Sequence, residues 1–188
     1  MEAVEIYRRA GADFAARVHR AEDRWGAPTP CPGWDARALV NHLVNEERWT
    51  PLLLGGATIE EVGHRLDGDL LGPDPVATFD EAAAAALAAV EAVEIERVVH
   101  LSFGDRPARE YVTQLAADHL VHAWDLARAL GEDESLDADT VDAVLAWFGS
   151  TQPLYRDIGV IGPETPVADD ASPQDRLLAM FGRAPGAG

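Results

Sequence analysis

The stretch DHLVHAWDL, residues 118–126, sets two Asp and two His among Leu, Val, Ala and Trp. At about 100° per residue on a helix, Asp118, His122 and Asp125 fall within roughly 60° of one another. Gln114 and Tyr111 extend this stripe backwards. Apolar residues flank it, with Leu115 and Leu126 on one side and Ala117, Val121 and Trp124 on the other. A narrow polar stripe between two apolar flanks has two readings. It is the wet face of an amphipathic helix, or it is a set of ligands aimed inward. On this helix alone an Asp–His pair four residues apart fits an ordinary solvated face.

The rest of the chain bounds the choice. Its 188 residues are enough for one domain with a real core, and 47% of them are apolar, which excludes general disorder. No apolar run reaches the about 18 residues that a membrane span needs. The start, MEAVEIYRR, lacks a basic leader followed by an apolar block, so no secretory signal is expected. A single cysteine, Cys31, rules out an internal disulfide framework and suits a reducing cytoplasm. The net charge of −18 argues against nucleic acid, which needs a concentrated positive patch. All 15 basic residues are Arg. The lack of Lys fits a GC-rich genome and removes Schiff-base lysine chemistry.

Helical periodicity runs through residues 2–25 and is stopped by PTPCPG, residues 28–33. A second helix is expected from Trp34-Asp35, with Asp35 as N-cap. Leu39, Leu43 and Trp49 mark its buried side, and Arg37, Asn41, Asn45 and Arg48 its wet side. Pro51 and Gly55-Gly56 end it. Residues 57–77 read as a loop with one short helical turn. Thr78-Phe79-Asp80-Glu81 has the capping-box pattern and opens an Ala-rich helix to about Arg97. VVHLSFGDRP, residues 98–107, reads as a short extended piece and not a sheet. A helix follows from about Ala108 to Leu130, stopped by Gly131, and another from Asp137 to Phe148. After a Pro- and Asp-rich wrap, Ser172-Pro173 caps a last helix through Phe181. The expected fold is all-α, a four-helix bundle with extra short helices and an irregular C-terminal wrap, forming a single domain over residues 1–188.

His42 adds weight to the inward reading of the stripe. It lies on the second helix among Ala38, Leu39, Leu43, Trp49 and Leu53. A His in such surroundings is most simply a hydrogen-bonded core residue. Two helices of one bundle that each offer an inward His can also meet across the core. His42, Asp118 and His122 would then supply two imidazoles and one carboxylate, a set that leaves positions open as catalytic zinc sites do. Open Fe(II) sites use the same donors, so the set does not choose the metal. Glu46, one turn after His42, and His119, beside Asp118, are rivals for a ligand position. His119 points about 100° away from Asp118, toward a different neighbour. His19, His64 and His100 read as isolated, and Cys31 as a small packed or loop residue. Trp34, Trp49, Trp124 and Trp147 read as core, with one or two free to wall a pocket.

The runs TPCPGWDARALVNHLV (29–44), AADHLVHAWDLARALG (116–131) and GPETPVADDASPQDRLLAMFGR (162–183) together strongly resemble the mycothiol-dependent maleylpyruvate isomerase-like proteins. These belong to the DinB-like group of metal-binding four-helix bundles. The resemblance covers almost the whole chain. Its most specific element is the early His on CPGW…LVNHLV paired with the later acid-x-x-x-His on DHLVHAWDLA. It implies a divalent metal, most simply zinc, held by His42, Asp118 and His122. It also implies mycothiol, a small thiol of GC-rich actinobacteria, as the cosubstrate whose thiolate the metal stabilises. Two departures stand out. The isomerase proper resembles this bundle joined to a separate C-terminal domain that contributes to substrate binding. Its carboxylate is Glu where this chain has Asp118.

The expectation is therefore a cytoplasmic metal-dependent enzyme of thiol transfer or thiol-assisted isomerisation on a small molecule, with no nucleic-acid or membrane partner. A homodimer stays open, and catalytic residues beyond the metal ligands stay unassigned. A metal-dependent hydrolase on the same ligands is the first alternative. A non-catalytic bundle that binds a protein partner through its acidic surface is the second.

Overall fold

The computed structural model describes residues 1–157, 159 and 161–186. The chain runs α1 (Ala3–Val18), α2 (Ala36–Leu54), α3 (Ile59–Val62), α4 (Pro75–Ala92), β1 (Val98–Leu101), β2 (Gly104–Pro107), α5 (Ala108–Leu130), α6 (Ala138–Asp157) and α7 (Pro173–Met180). The protein is an all-α bundle with short extra helices and one small hairpin. Helix α5 spans Ala108–Leu130 as expected, and Gly131 ends it in the left-handed conformation at φ 67°, which Gly adopts without a Cβ clash.

Helix α5 packs against α1, α2 and α6, and α4 covers α2 and α1. It is therefore buried on nearly every side, and His119, His122 and Asp125 are buried with it. The stripe of residues 118–125 is not a solvent face. The core around it is aliphatic and aromatic: Phe14, Leu39, Leu43, Phe79, Leu115, Leu120, Trp124 and Leu126 are all fully buried.

Several sequence expectations need correction. Helix α1 ends at Val18, not near residue 25. The Trp25 and Ala27 carbonyls instead accept the N–H groups of Arg37 (2.9 Å) and Ala36 (2.8 Å). Those N–H groups open α2 and have no partner within it; α1 itself ends in tight turns, Arg20 N bonding to Arg17 O and Ala21 N to Val18 O, with Glu22 at a left-handed φ of 50°. Asp35 caps α2 as expected, accepting from Ala38 N at 2.8 Å. The side of α2 read as wet is covered. Asn41 exchanges hydrogen bonds with Gly68 O and Leu70 N, Asn45 donates to Leu66 O, and Arg37 pairs with Asp69. The loop after α3 thus closes over this face by binding its polar groups.

Helix α4 starts at Pro75, before the Thr78 capping pattern. Asp74 accepts from Ala77 N at 3.1 Å, and Pro75 fits the first helical position. Thr78 instead donates its hydroxyl to Leu71 O. The helix stops at Ala92 because Val93 turns extended. Residues 98–107 are a two-stranded antiparallel sheet after all, with Val99 facing Arg106 and fully buried. Finally, α6 continues past Phe148 to Asp157. Ser150 and Thr151 bond back to the Trp147 carbonyl, and Tyr155 packs edge-on against Trp147.

Candidate metal centre

Trp34, just before the Asp35 cap, and His42 on α2 face the start of the polar stripe on α5. His42 Nε2 lies 3.0 Å from Asp118 Oδ2, and His122 Nε2 lies 3.4 Å from Asp118 Oδ1. The two imidazole rings meet edge-on with centroids 5.2 Å apart. Trp34 covers both, tilted against His42 and stacked on His122. One donor atom from each of His42, Asp118 and His122 lies within 4.8 Å of the others. Donors about 2.1 Å from a tetrahedral ion stand about 3.4 Å apart, so these spacings suit a shared divalent ion. The same contacts serve as ordinary Asp–His hydrogen bonds when no ion is bound.

The far side of His122 is tied down. Its Nδ1 lies 2.9 Å from Asp125 Oδ2. An N–H at Nδ1 donating to that carboxylate leaves the Nε2 lone pair aimed at Asp118 and His42. A carboxylate behind a ligating His fixes its tautomer and raises its basicity. Asp125 is itself fully buried and held by Arg183, which donates from Nη2 at 2.6 Å and from Nε at 3.1 Å. Arg183 reaches in from the C-terminal wrap.

Electrostatics follow from this packing. Burial opposes ionisation of Asp118, but His122 and His42 outweigh it and hold its carboxyl well below the usual range. Burial also opposes charge on His122, yet Asp118, Asp125 and Cys31 drive it well above the usual imidazole range. His42 shifts up for the same reason, with Asp118 outweighing burial. Glu46 goes the other way for an acid. Burial and the nearby Asp118 charge raise it to about 7.

A second donor group shares His122. Cys31 Sγ lies 3.9 Å from His122 Nδ1 and 3.3 Å from Asp125 Oδ2, so Cys31, His122 and Asp125 also cluster. Cys31 is thus more than a packed loop residue; it sits inside the site. Arg183 Nη2 approaches both Cys31 Sγ (3.4 Å) and Asp125, so a cation placed among these donors would face a guanidinium at close range.

Sequence-level reading missed one buried cluster. Glu47 accepts from Tyr7 Oη at 2.6 Å, and its other oxygen lies 2.6 Å from His119 Nε2. His119 Nδ1 faces the Leu115 carbonyl at 2.8 Å. Both ring nitrogens thus meet acceptors, and Glu47 outweighs burial to raise the His119 pKa. His119 is therefore a structural ion-pair partner here, and its different neighbour is Glu47. A signal existed: Glu47 follows Leu43 by four residues on the buried stripe of α2. His19, His64 and His100 are not isolated, since each pairs with one exposed carboxylate, Asp80, Asp67 and Asp105. Glu46 does not join either donor group.

The donors open into a cavity of about 520 Å³. Trp34, Trp147, Phe148, Tyr155 and Phe181 line it, with Glu46 and Gln114. The size suits a small organic ligand. Trp34 and Trp147 are the tryptophans that wall it, while Trp124 is fully buried core.

An all-α bundle whose inward His and Asp side chains converge below an aromatic-walled cavity is a DinB-like bundle. Within that class, the chain belongs to the mycothiol maleylpyruvate isomerase N-terminal domain family, whose model matches residues 7–127. Two uncharacterized proteins of Mycobacterium tuberculosis, from strains CDC 1551 / Oshkosh and H37Rv, are each 30% identical over 197 residues. Each alignment covers 97% of this chain and 98% of the relative. No solved structure matches the chain. Among the described residues, no helix is long and apolar enough to cross a membrane.

Proposed function

We propose that this protein is a metal-dependent thiol transferase or thiol-assisted isomerase acting on a small molecule, with mycothiol as its thiol. His42, Asp118 and His122 hold a divalent ion, most simply zinc. The observation that carries the reading is the convergence of two Nε2 atoms and one carboxylate, with His122 oriented from behind by Asp125. A divalent metal there supplies charge that favours the thiolate over the thiol near neutral pH.

The chain's own residues do the rest. Asp125, locked by Arg183, keeps the His122 lone pair pointed at the donor cluster. Trp34 packs against both imidazoles and helps to hold them in place. The cavity beyond gives a thiol and a second small substrate room to meet. Residues 1–188 act as one domain in this reading. In this reading the protein works in the cytoplasm, which its mycothiol-related family supports, and its net charge of −18 argues against a nucleic-acid partner. A homodimer is compatible with it.

Cobalt substitution tests the thiol. Mycothiol should produce a sulfur-to-metal charge-transfer band in the near ultraviolet, at far lower concentration than a generic thiol. Its binding should release protons. A serine analogue lacking sulfur should give no band. If mycothiol neither changes the cobalt spectrum nor binds by calorimetry, the thiol reading fails, and a metal-dependent hydrolase on the same donors replaces it.

A further inference from the structure

One helical turn away from the metal donors, the cavity has a second polar level. Gln114 precedes Asp118 by four residues on α5, and Glu46 follows His42 by four on α2. Each therefore lies about 6 Å along its helix from a proposed ligand. The two helices run in opposite senses here. His42 meets His122 and Asp118, while further along α2 Glu47 meets His119. Further still along α5, burial and then the Glu46 charge push the Tyr111 phenol up. Gln114 and Glu46 thus lie on the same side of the donor cluster, and both line the cavity.

The two groups offer opposite hydrogen-bonding partners. Tyr155, itself buried, donates from Oη to Gln114 Oε1 at 3.1 Å, which leaves Nε2 as the free end of that amide. Among the described residues Gln114 Nε2 has no acceptor, and the Glu46 carboxyl has no side-chain hydrogen bond or ion pair. Gln114 presents a donor. Glu46 presents carboxyl oxygens that accept whether or not the group is ionised. Around them stand Trp34, Trp147, Phe148 and Phe181. A hydrocarbon ligand filling this space would strand both polar groups, which is costly. A carboxamide meets both, because its C=O accepts from Gln114 while its N–H donates to Glu46. It offers the two functions from different atoms, as two groups on different helices require.

We propose that Gln114 and Glu46 bind a neutral carboxamide of the ligand, and that Tyr155 fixes the Gln114 amide for it. The proposal rests on the reading of this cavity as the substrate site, and it names a group that the thiol or the second substrate carries.

Benzamide and acetophenone test it. They share a ring and a carbonyl and differ by NH2 against CH3. Titration of the 15N-labelled full chain, followed by two-dimensional NMR, reads affinity and place together. The chain has only three Gln and two Asn, so the Gln114 side-chain NH2 signal is identified by its loss in Gln114→Leu. Benzamide should bind at least about ten-fold tighter than acetophenone and shift that signal. Glu46→Leu should abolish the preference, and Gln114→Leu should weaken both probes. Tyr155→Phe should weaken both by a smaller factor. Helical circular dichroism shows that each variant folds. The preference should appear in metal-free and zinc-loaded protein alike, so its fate is separate from that of the metal reading. Equal or tighter binding of acetophenone, binding of neither probe, or an unmoved Gln114 signal overturns the proposal. A preference that survives Glu46→Leu overturns the role of Glu46, and unchanged affinities in Tyr155→Phe overturn that of Tyr155. On the zinc-loaded chain, 3-mercaptopropionamide and 4-mercapto-2-butanone form the matching thiol pair. A preference for the amide that Glu46→Leu removes assigns the carboxamide to the thiol. Equal binding of these two, with the benzamide preference intact, assigns it to the second substrate.

Discussion

His122 Nδ1 and Asp125 Oδ2 lie 2.9 Å apart inside the bundle, and this contact decides which nitrogen of His122 points at the donor cluster. With an N–H at Nδ1, the Nε2 lone pair faces Asp118 and His42. Asp125→Asn keeps the shape but weakens the hold on that tautomer, because an amide can also donate to Nδ1. We expect a loss of about 10–100-fold in metal affinity, measured by competition with a chromogenic chelator. Unchanged affinity would show that Asp125 does not orient a ligand.

Arg183 neutralises the buried Asp125 from the C-terminal wrap. Arg183→Met leaves that buried carboxylate without its guanidinium, with only His122 and Cys31 beside it. Breaking a buried pair from one side costs about 3–5 kcal/mol, and urea unfolding should register a loss of that order. Arg183→Met combined with Asp125→Asn should cost less than the sum of the two single changes, because both remove one interaction. Strict additivity would contradict the pairing.

Glu47, His119 and Tyr7 form a buried polar cluster that ties α1 and α2 to α5. Tyr7→Phe removes one hydrogen bond to a charged acceptor and should cost about 1.5–3 kcal/mol. His119→Leu strips the charge partner from Glu47 and should cost more. Equal urea midpoints for these two variants would argue against an ion pair.

Glu46 has its carboxyl raised to about 7 in the metal-free chain. For an acid with a raised folded pKa, the neutral form is the one favoured by folding. The associated stability is fully present below the unfolded value near 4.5 and is lost as pH rises through about 7. Relative to wild type, Glu46→Gln should therefore become more stable between pH 5 and pH 8, read from paired urea midpoints. A constant difference across that range would contradict the shift.

The bundle and its central helix are legible in the sequence because burial there obeys helical spacing. Gly131 and the Asp35 cap mark ends by chemistry that acts within a few residues. The His42–Asp118–His122 convergence is legible only as a convergence of two faces, since no local rule measures a distance between α2 and α5. What escapes reading is set by contacts between distant segments. Helix α1 stops early in the turns at residues 19–22, where Glu22 takes a left-handed φ, and the chain beyond pairs with the start of α2; the polar side of α2 is covered because the residue 66–72 loop binds Asn41, Asn45 and Arg37. Arg183 lies 58 positions from Asp125, so nothing in the spacing couples them. Glu47 carried a local sign, its place on the buried stripe, but an acid there has no partner visible until His119 is placed.

Metal stoichiometry tests the central claim most directly. Protein purified without a histidine tag, analysed by inductively coupled plasma mass spectrometry, should carry about one divalent metal per chain. His42→Ala, Asp118→Ala and His122→Ala should each abolish that occupancy, while His19→Ala and His64→Ala should retain it. Wild-type protein that stays metal-free when supplied with zinc, or equal metal content in all five variants, would contradict the assignment of His42, Asp118 and His122 as the ligands.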